Sequence, residues 1–335
     1  MIPIPPFPSP SAYLFQTKKL FLHGNISDCN VESRFSSEKE KEFKSLFAGI
    51  ISSKDFDDTS AGKTLFEKLI LAPFPVLQKI HKKFHEHQFQ TQIIKNERKI
   101  WVVKDEWKIF LKAYDRLVSR HLNSWLVDQY GIKCCPYCNE NFVFNRGDKA
   151  SAQLDHFFPK DKYPLFAVSL YNLVPACPAC NHIKRESMLG VSPHDNKRDF
   201  DQMRISYTPK VSSWMLDHHT LDVIFRFGSS EEDREFEQDM KKNIACLKLE
   251  PAYQNHRDYV QEIVNKAFWY NDAATEAFRN SLPGVFGSEG EMLRMVFGNY
   301  AEPKDFLKRP LSKLTRDLLL ELGVLNMTKK RQEDT

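Results

Sequence analysis

No stretch of this 335-residue chain reaches the roughly 18 consecutive apolar residues of a membrane helix. The opening segment "MIPIPPFPSPSAYLF" lacks the basic start and apolar middle of a secretory leader. Together these two absences predict a cytoplasmic protein. A strong net charge is also missing: 48 basic residues stand against 44 acidic ones, for a net +4. A polyanion contact, if there is one, must come from a local patch. The chain has no complete phosphate loop either. "AGKT" at 61–64 has neither the upstream glycine nor the preceding strand that such a loop requires. There is no internal repeat. What remains is an ordinary globular composition, 41% hydrophobic and 27% charged, in a chain long enough to bury a core.

Helical spacing dominates. The first ten residues hold five prolines and read as an extended arm. "SEKE", with Ser37 and Glu40 as a capping box, opens one helix. "SAGKTLFEKLILAPFP" reads as a shorter helix stopped by Pro73 and Pro75. "VLQKIHKKFHEHQ" reads as another, with His81, His85 and His87 on a solvated face. The longest helix is expected from about Asp105 to Tyr130, where Trp107, Phe110, Tyr114, Leu117 and Trp125 share an apolar stripe ended by Gly131. "RISYTPKV" and "LDVIFRFG" have β composition and could pair. Helices return around Val260–Phe268 and Leu311–Leu322, and both could dock a partner. The expected class is mainly α, and α+β overall. The expected divisions are an N-terminal helical region (1–132), a central metal-stapled module (133–190) and a mostly helical C-terminal region (191–335).

Four of the seven cysteines form two Cys-x-x-Cys knuckles, Cys135/Cys138 and Cys177/Cys180. In a reducing compartment such pairs read as metal sites rather than disulfides. Two knuckles complete a tetrathiolate shell for Zn²⁺, one ion per chain, and a closed shell of this kind is structural. Cys134 is an alternative to Cys135, although the spacing favours Cys135. Cys29, Cys134 and Cys246 are left over.

The 38 residues between the knuckles must carry structure of their own. Asp155 is a hard oxygen donor suited to Mg²⁺ or Mn²⁺, and His156 can take a proton near neutrality. Neighbouring strand residues point to opposite faces, so both can serve one site only if the strand ends or bulges there. Asn181 follows the last cysteine and is expected to open a helix, "NHIKRESML". His182 is a rival to Asn181 as ligand. Lys160, Lys162, Lys184 and Arg185 lie near in sequence, and if the substrate is a nucleic acid they are near enough to hold flanking phosphates.

"LDHFFPK" followed by "YNLVPACPACNHIK" resembles the HNH (ββα-metal) endonucleases of the zinc-knuckle type over about 55 residues. The resemblance implies a central ββα-metal module and metal-dependent hydrolysis of DNA or RNA. It implies Asp155 and Asn181 as ligands of a catalytic Mg²⁺ or Mn²⁺, His156 as general base, and Asn172 as the residue that fixes the loop around His156. More weakly, "VFGNYAEPKDFLKRPLSKLTRDLLLELG" is similar to the C-terminal part of HNH proteins of anti-phage operons, the PtuB subunits of Septu systems and their retron-associated relatives. That implies an ABC-type ATPase (PtuA-like) as partner, and in retrons a reverse transcriptase with its DNA–RNA product. The alternative reading is a non-catalytic zinc-stapled module that positions nucleic acid or protein.

Overall fold

The computed structural model describes residues 1–23, 37–56, 62, 64–117, 122–147, 149–228, 231–270, 277, 280–281, 284–285 and 288–325. Cys29, the side chains of the "SEKE" capping box and the C-terminal "TKKRQEDT" lie outside this set. The fold is α+β and about half helical, and among the described residues it has three separate two-stranded antiparallel sheets. Among the described residues no helix is long and apolar enough to cross a membrane. Chain contacts divide the protein into two units that are discontinuous in sequence: 3–132 with 143–197, and 1–2 with 133–142 and 198–335.

The first unit begins with α1 (Pro10–His23), α2 (Ser37–Phe47), α3 (Leu65–Leu71) and α4 (Phe74–His81). Thr64, the last residue of "AGKT", caps α3 in a reciprocal capping box with Glu67. The hairpin β1 (Gln90–Lys95)–β2 (Arg98–Val103) follows, then α5 (Lys108–Leu117) and α6 (Asn123–Tyr130). Its core is aromatic. Phe43 stacks on Phe66 at 4.5 Å between ring centroids, and Trp107 meets Phe89 edge-on at 4.9 Å.

Two expectations change here, both on the histidine segment, and two others gain detail. The arm at the N-terminus is extended, but Ile4 and Phe7 are buried, because apolar side chains alternate with its prolines. The histidine helix stops at His81, so His85 and His87 fall in turns; His87 has a left-handed φ of 58° that a helix cannot continue. His81 is not on a solvated face, for its ring stacks on Phe158 at 4.6 Å. The stripe predicted as one helix from Asp105 appears as α5 and α6, with 118–121 outside the described residues.

The second unit holds the antiparallel pair β5 (Met203–Pro209)–β6 (Leu221–Phe227) and the helices α8 (Glu231–Cys246), α9 (Leu249–Tyr253) and α10 (Arg257–Trp269). Two more follow, Glu289–Phe297 and Ser312–Glu321. The docking role expected of the last helix does not fit its environment. Ser312 to Leu319 are all buried, with Asp317 accepting the backbone N–H of Ile205 in β5 at 2.9 Å and ion-paired to Lys313 at 3.2 Å. The helix is core, and its polar residues point into a buried ion network. On α10, Phe268 and Trp269 are exposed.

Candidate metal and catalytic centre

The cysteine cluster has the most constrained geometry in the centre. The sulfurs of Cys135, Cys138, Cys177 and Cys180 all lie within 4.8 Å of one another, and all four residues are buried. A tetrahedral Zn–S₄ shell with bonds of about 2.3 Å needs sulfurs roughly 3.8 Å apart. The cluster is near that spacing, and its donors suit a zinc ion. Backbone N–H groups already point at the sulfurs: Glu140 donates to Cys138 Sγ and Cys180 donates to Cys177 Sγ, each at 3.4 Å. Such bonds favour the thiolate that a metal requires. Cys134 is not part of the cluster. Burial pushes its thiol up to about 12, where it stays neutral. Cys246 lies outside it too.

Asn139, which sequence reasoning passed over, shapes the first knuckle. It takes a left-handed φ of 56°, donates through Nδ2 to the Phe306 carbonyl at 2.9 Å, and accepts the Lys313 N–H at 3.1 Å. Asparagine tolerates that backbone and can bridge both partners. The only signal for it was its place directly after Cys138.

The second knuckle opens α7 (Pro178–Lys184). Cys177 is the N-cap and Pro178 the first helical residue, a position that loses nothing by lacking an N–H. The helix therefore starts three residues before Asn181. It ends at Arg185, whose φ is 48°, so the predicted "NHIKRESML" helix does not form.

Between the knuckles, β3 (Gln153–His156) pairs with β4 (Leu173–Ala176), Asp155 opposite Val174 and His156 opposite Leu173. One face of β3 meets α7. Gln153 accepts the Asn181 amide N–H at 2.6 Å, and Asp155 pairs with Lys184 at 3.1 Å. Asp155 and Asn181, the oxygen donors assigned to a catalytic cation, thus share the surface between β3 and α7. His182 is exposed. Lys184 requires a correction: it is fully buried, and it also donates to the His156 carbonyl at 2.6 Å. It ties the end of β3 to α7 and cannot reach an external phosphate. Its stem supplies buried packing that spacing alone did not reveal.

His156 lies on the other face. Its Nε2 donates to the Ala167 carbonyl at 2.9 Å, and the Tyr114 ring meets it edge-on at 4.2 Å. A carbonyl only accepts, so the proton sits on Nε2 and Nδ1 carries the lone pair. Burial pushes the imidazole down to about 3; the Ala167 bond opposes this, and the charges of Lys160 and Lys184 add to it. His156 is therefore neutral at physiological pH. Asn172 holds the loop around it, accepting from Phe158 N–H at 2.7 Å and donating to the carbonyls of Phe158 and Phe166. Phe166 is the neighbour of Ala167, so Asn172 fixes the carbonyl that orients His156.

Tyr114 was read only as one residue of an apolar stripe. It donates to the Leu154 carbonyl at 2.9 Å, and the charge of Asp155 helps keep its hydroxyl protonated after burial. Lys160 lies over its ring at 4.6 Å and pairs with Asp115 at 3.1 Å. Lys162 donates to the Glu186 carbonyl at 3.3 Å, and Arg185 is exposed. The structure thus gathers Asp155, Asn181 and Lys184 on one face of β3, and His156, Asn172, Tyr114 and Lys160 on the other. Asp155 and His156 are 3% and 8% exposed, so the centre is closed.

His194, outside the predicted set, braces the same hairpin. Its Nε2 donates to the Leu173 carbonyl at 2.9 Å, and burial lowers the ring to about 4. The folded value lies below the unfolded one of roughly 6.5. Its contribution is therefore complete above pH 6.5 and is lost as pH falls towards 4, by at most about 1.4 kcal/mol per pH unit. Urea unfolding at pH 7, 5.5 and 4.5 is expected to show this slope reduced by one proton in His194→Gln. An unchanged slope would remove His194 from the account.

Against protein-family models, curated proteins and solved structures, the chain finds no match. Among the described residues, the other group able to hold a metal, Asp217, His218 and His219, is a single partly exposed turn in which Asp217 already caps the backbone of His219.

Proposed function

We propose that the protein is a metal-dependent HNH endonuclease that hydrolyses nucleic-acid phosphodiesters, with residues 133–190 as its ββα-metal module. The observation that carries this reading is the hydrogen bond between His156 Nε2 and the Ala167 carbonyl. A neutral imidazole, proton held on Nε2 by Ala167, offers Nδ1 as a base, and the loop that sets it is clamped by Asn172. The order of β3, β4 and α7, and the motif that runs through them, support the same reading. His156 takes the proton from the attacking water at Nδ1. Asp155 and Asn181 would hold Mg²⁺ or Mn²⁺, which when bound supplies charge neutralisation on the phosphate and on the leaving 3′ oxygen. Asp155 and His156 lie on opposite faces of β3, so a scissile phosphate would have to sit at the His156 end of the strand to reach both.

The closed centre suits an enzyme restrained until substrate or partner opens it. The C-terminal resemblance supports an ABC-type ATPase in that role, within an anti-phage system. One observation favours the second reading, a non-catalytic zinc module: Asp155 is already ion-paired to buried Lys184. Product chemistry separates the two. Zinc-replete protein in excess over labelled DNA or RNA, at low salt, is expected to cut slowly with added Mg²⁺ or Mn²⁺ and to leave 5′-phosphate ends. Binding without cutting, with either cation and either nucleic acid, would favour the zinc module.

A further inference from the structure

The β1–β2 hairpin has no part in the site described above, and its surface is unusual. It is joined by a two-residue turn, Asn96-Glu97, with both residues at positive φ, as the right-handed twist of a tight hairpin requires. Its two strands of six residues reach about 20 Å. Cross-strand register puts Trp101 opposite Gln92 and Lys99 opposite Ile94 on one face. On the other face Lys95 stands directly opposite Arg98. Like charges facing each other across a ladder destabilise it, which suggests an anion outside the chain. Ile94 is 75% exposed and Trp101 45% exposed. The His87 ring lies flat on Trp101, at 3.8 Å and 7°. A stack of this kind is a rigid aromatic platform with little side-chain freedom left to lose.

Charge is concentrated here. Residues 79–112 hold nine Lys and Arg against four Asp and Glu, a net +5, whereas the whole chain carries only +4. A cleft of about 580 Å³ beside the hairpin is lined by Trp101 and by charges of both signs, Lys108, Lys112 and Lys162 with Asp115, Asp161 and Glu186. Asp115 pairs with Lys160, which lies over Tyr114, the ring against His156. The cleft therefore runs from the Trp101 face of the hairpin towards the candidate catalytic centre within one unit, and the unbalanced positive charge lies on the hairpin tip at Lys95, Arg98 and Lys99.

We propose that the β1–β2 hairpin is a nucleic-acid-binding arm: Lys95, Arg98 and Lys99 take backbone phosphates, and Trp101 stacks an unpaired base. The proposal rests on the nuclease reading for its substrate class. Phosphate contacts supply salt-sensitive affinity, and base–aromatic stacking favours single strands over duplex.

The test is fluorescence anisotropy of a labelled single-stranded oligonucleotide and of its duplex, on full-length protein carrying His156→Ala so that nothing is cut. The Lys95→Gln/Arg98→Gln/Lys99→Gln variant is expected to lose at least about tenfold in affinity and to flatten the dependence on salt. Trp101→Ala is expected to lose about 5- to 100-fold on the single strand and to erase its preference over duplex. These side chains sit on an exposed ribbon, and circular dichroism checks the fold. Wild-type affinity in both variants overturns the proposal, as does binding to phosphatidylserine vesicles without binding to oligonucleotide. If the hairpin variants lose binding but otherwise wild-type protein never cuts, the arm stands and the nuclease reading falls. If wild type cuts and protein carrying only the hairpin substitutions cuts and binds equally well, the arm falls and the nuclease reading stands.

Discussion

Cys180→Ser is expected to yield protein that no longer retains zinc and no longer folds around residues 134–184. The four sulfurs converge on one buried point. Without a metal, that point would hold several thiols among N–H groups already aimed at sulfur. Binding of structural zinc is worth about 10–16 kcal/mol in small zinc-dependent peptides, comparable to the whole stability of a domain. Cys135→Ser should behave alike, since the shell tolerates no missing ligand, whereas Cys246→Ser should leave zinc and fold intact. Metal analysis of purified protein, paired with thermal unfolding in and out of chelator, measures this. Unchanged folding of zinc-free protein would show that the cluster is packing and not a metal centre.

His156→Ala is expected to keep zinc and fold while cleavage falls by about 10²–10⁴-fold, the loss typical of a removed general base. The buried ring makes one side-chain hydrogen bond, to Ala167, and one edge-on contact, to Tyr114, and circular dichroism checks that its removal leaves the fold. Its loss touches neither the cysteines nor the Asp155–Lys184 pair. The pH profile adds a second signature. Burial holds His156 far below the usual histidine value in the closed centre, so cutting that persists at pH 5.5 is expected only if the ring stays buried when substrate binds. Asp155→Ala is a less clean variant, since it would leave Lys184 buried without its partner, at about 3–5 kcal/mol of stability.

The cysteine cluster was legible in the sequence because its information is chemical. Thiols at fixed spacing in a protein expected to be reduced have few other uses. Short β segments at Met203–Pro209 and Leu221–Phe227 were visible from their composition. The β1–β2 hairpin was not. Its turn is Asn-Glu rather than the usual Asn-Gly, and most of its residues are exposed, so no alternation of buried and solvated positions marks it. Lys184 was misread because a lysine on a short helix is ordinarily solvated; only the position of Asp155 across the strand gives it a buried partner. Tyr114 was hidden by its own stripe, since nothing in helical spacing separates a core tyrosine from one set against a histidine 42 positions away.

The central claim is that His156 and its neighbours hydrolyse phosphodiesters. The measurement that bears on it most directly is single-turnover cleavage of end-labelled nucleic acid by zinc-replete protein, wild type beside His156→Ala, with and without Mn²⁺. The account predicts cutting that needs Mn²⁺ and is lost in His156→Ala. Equal cutting by the two proteins would contradict it, as would no cutting by wild type once its proposed ATPase partner is present.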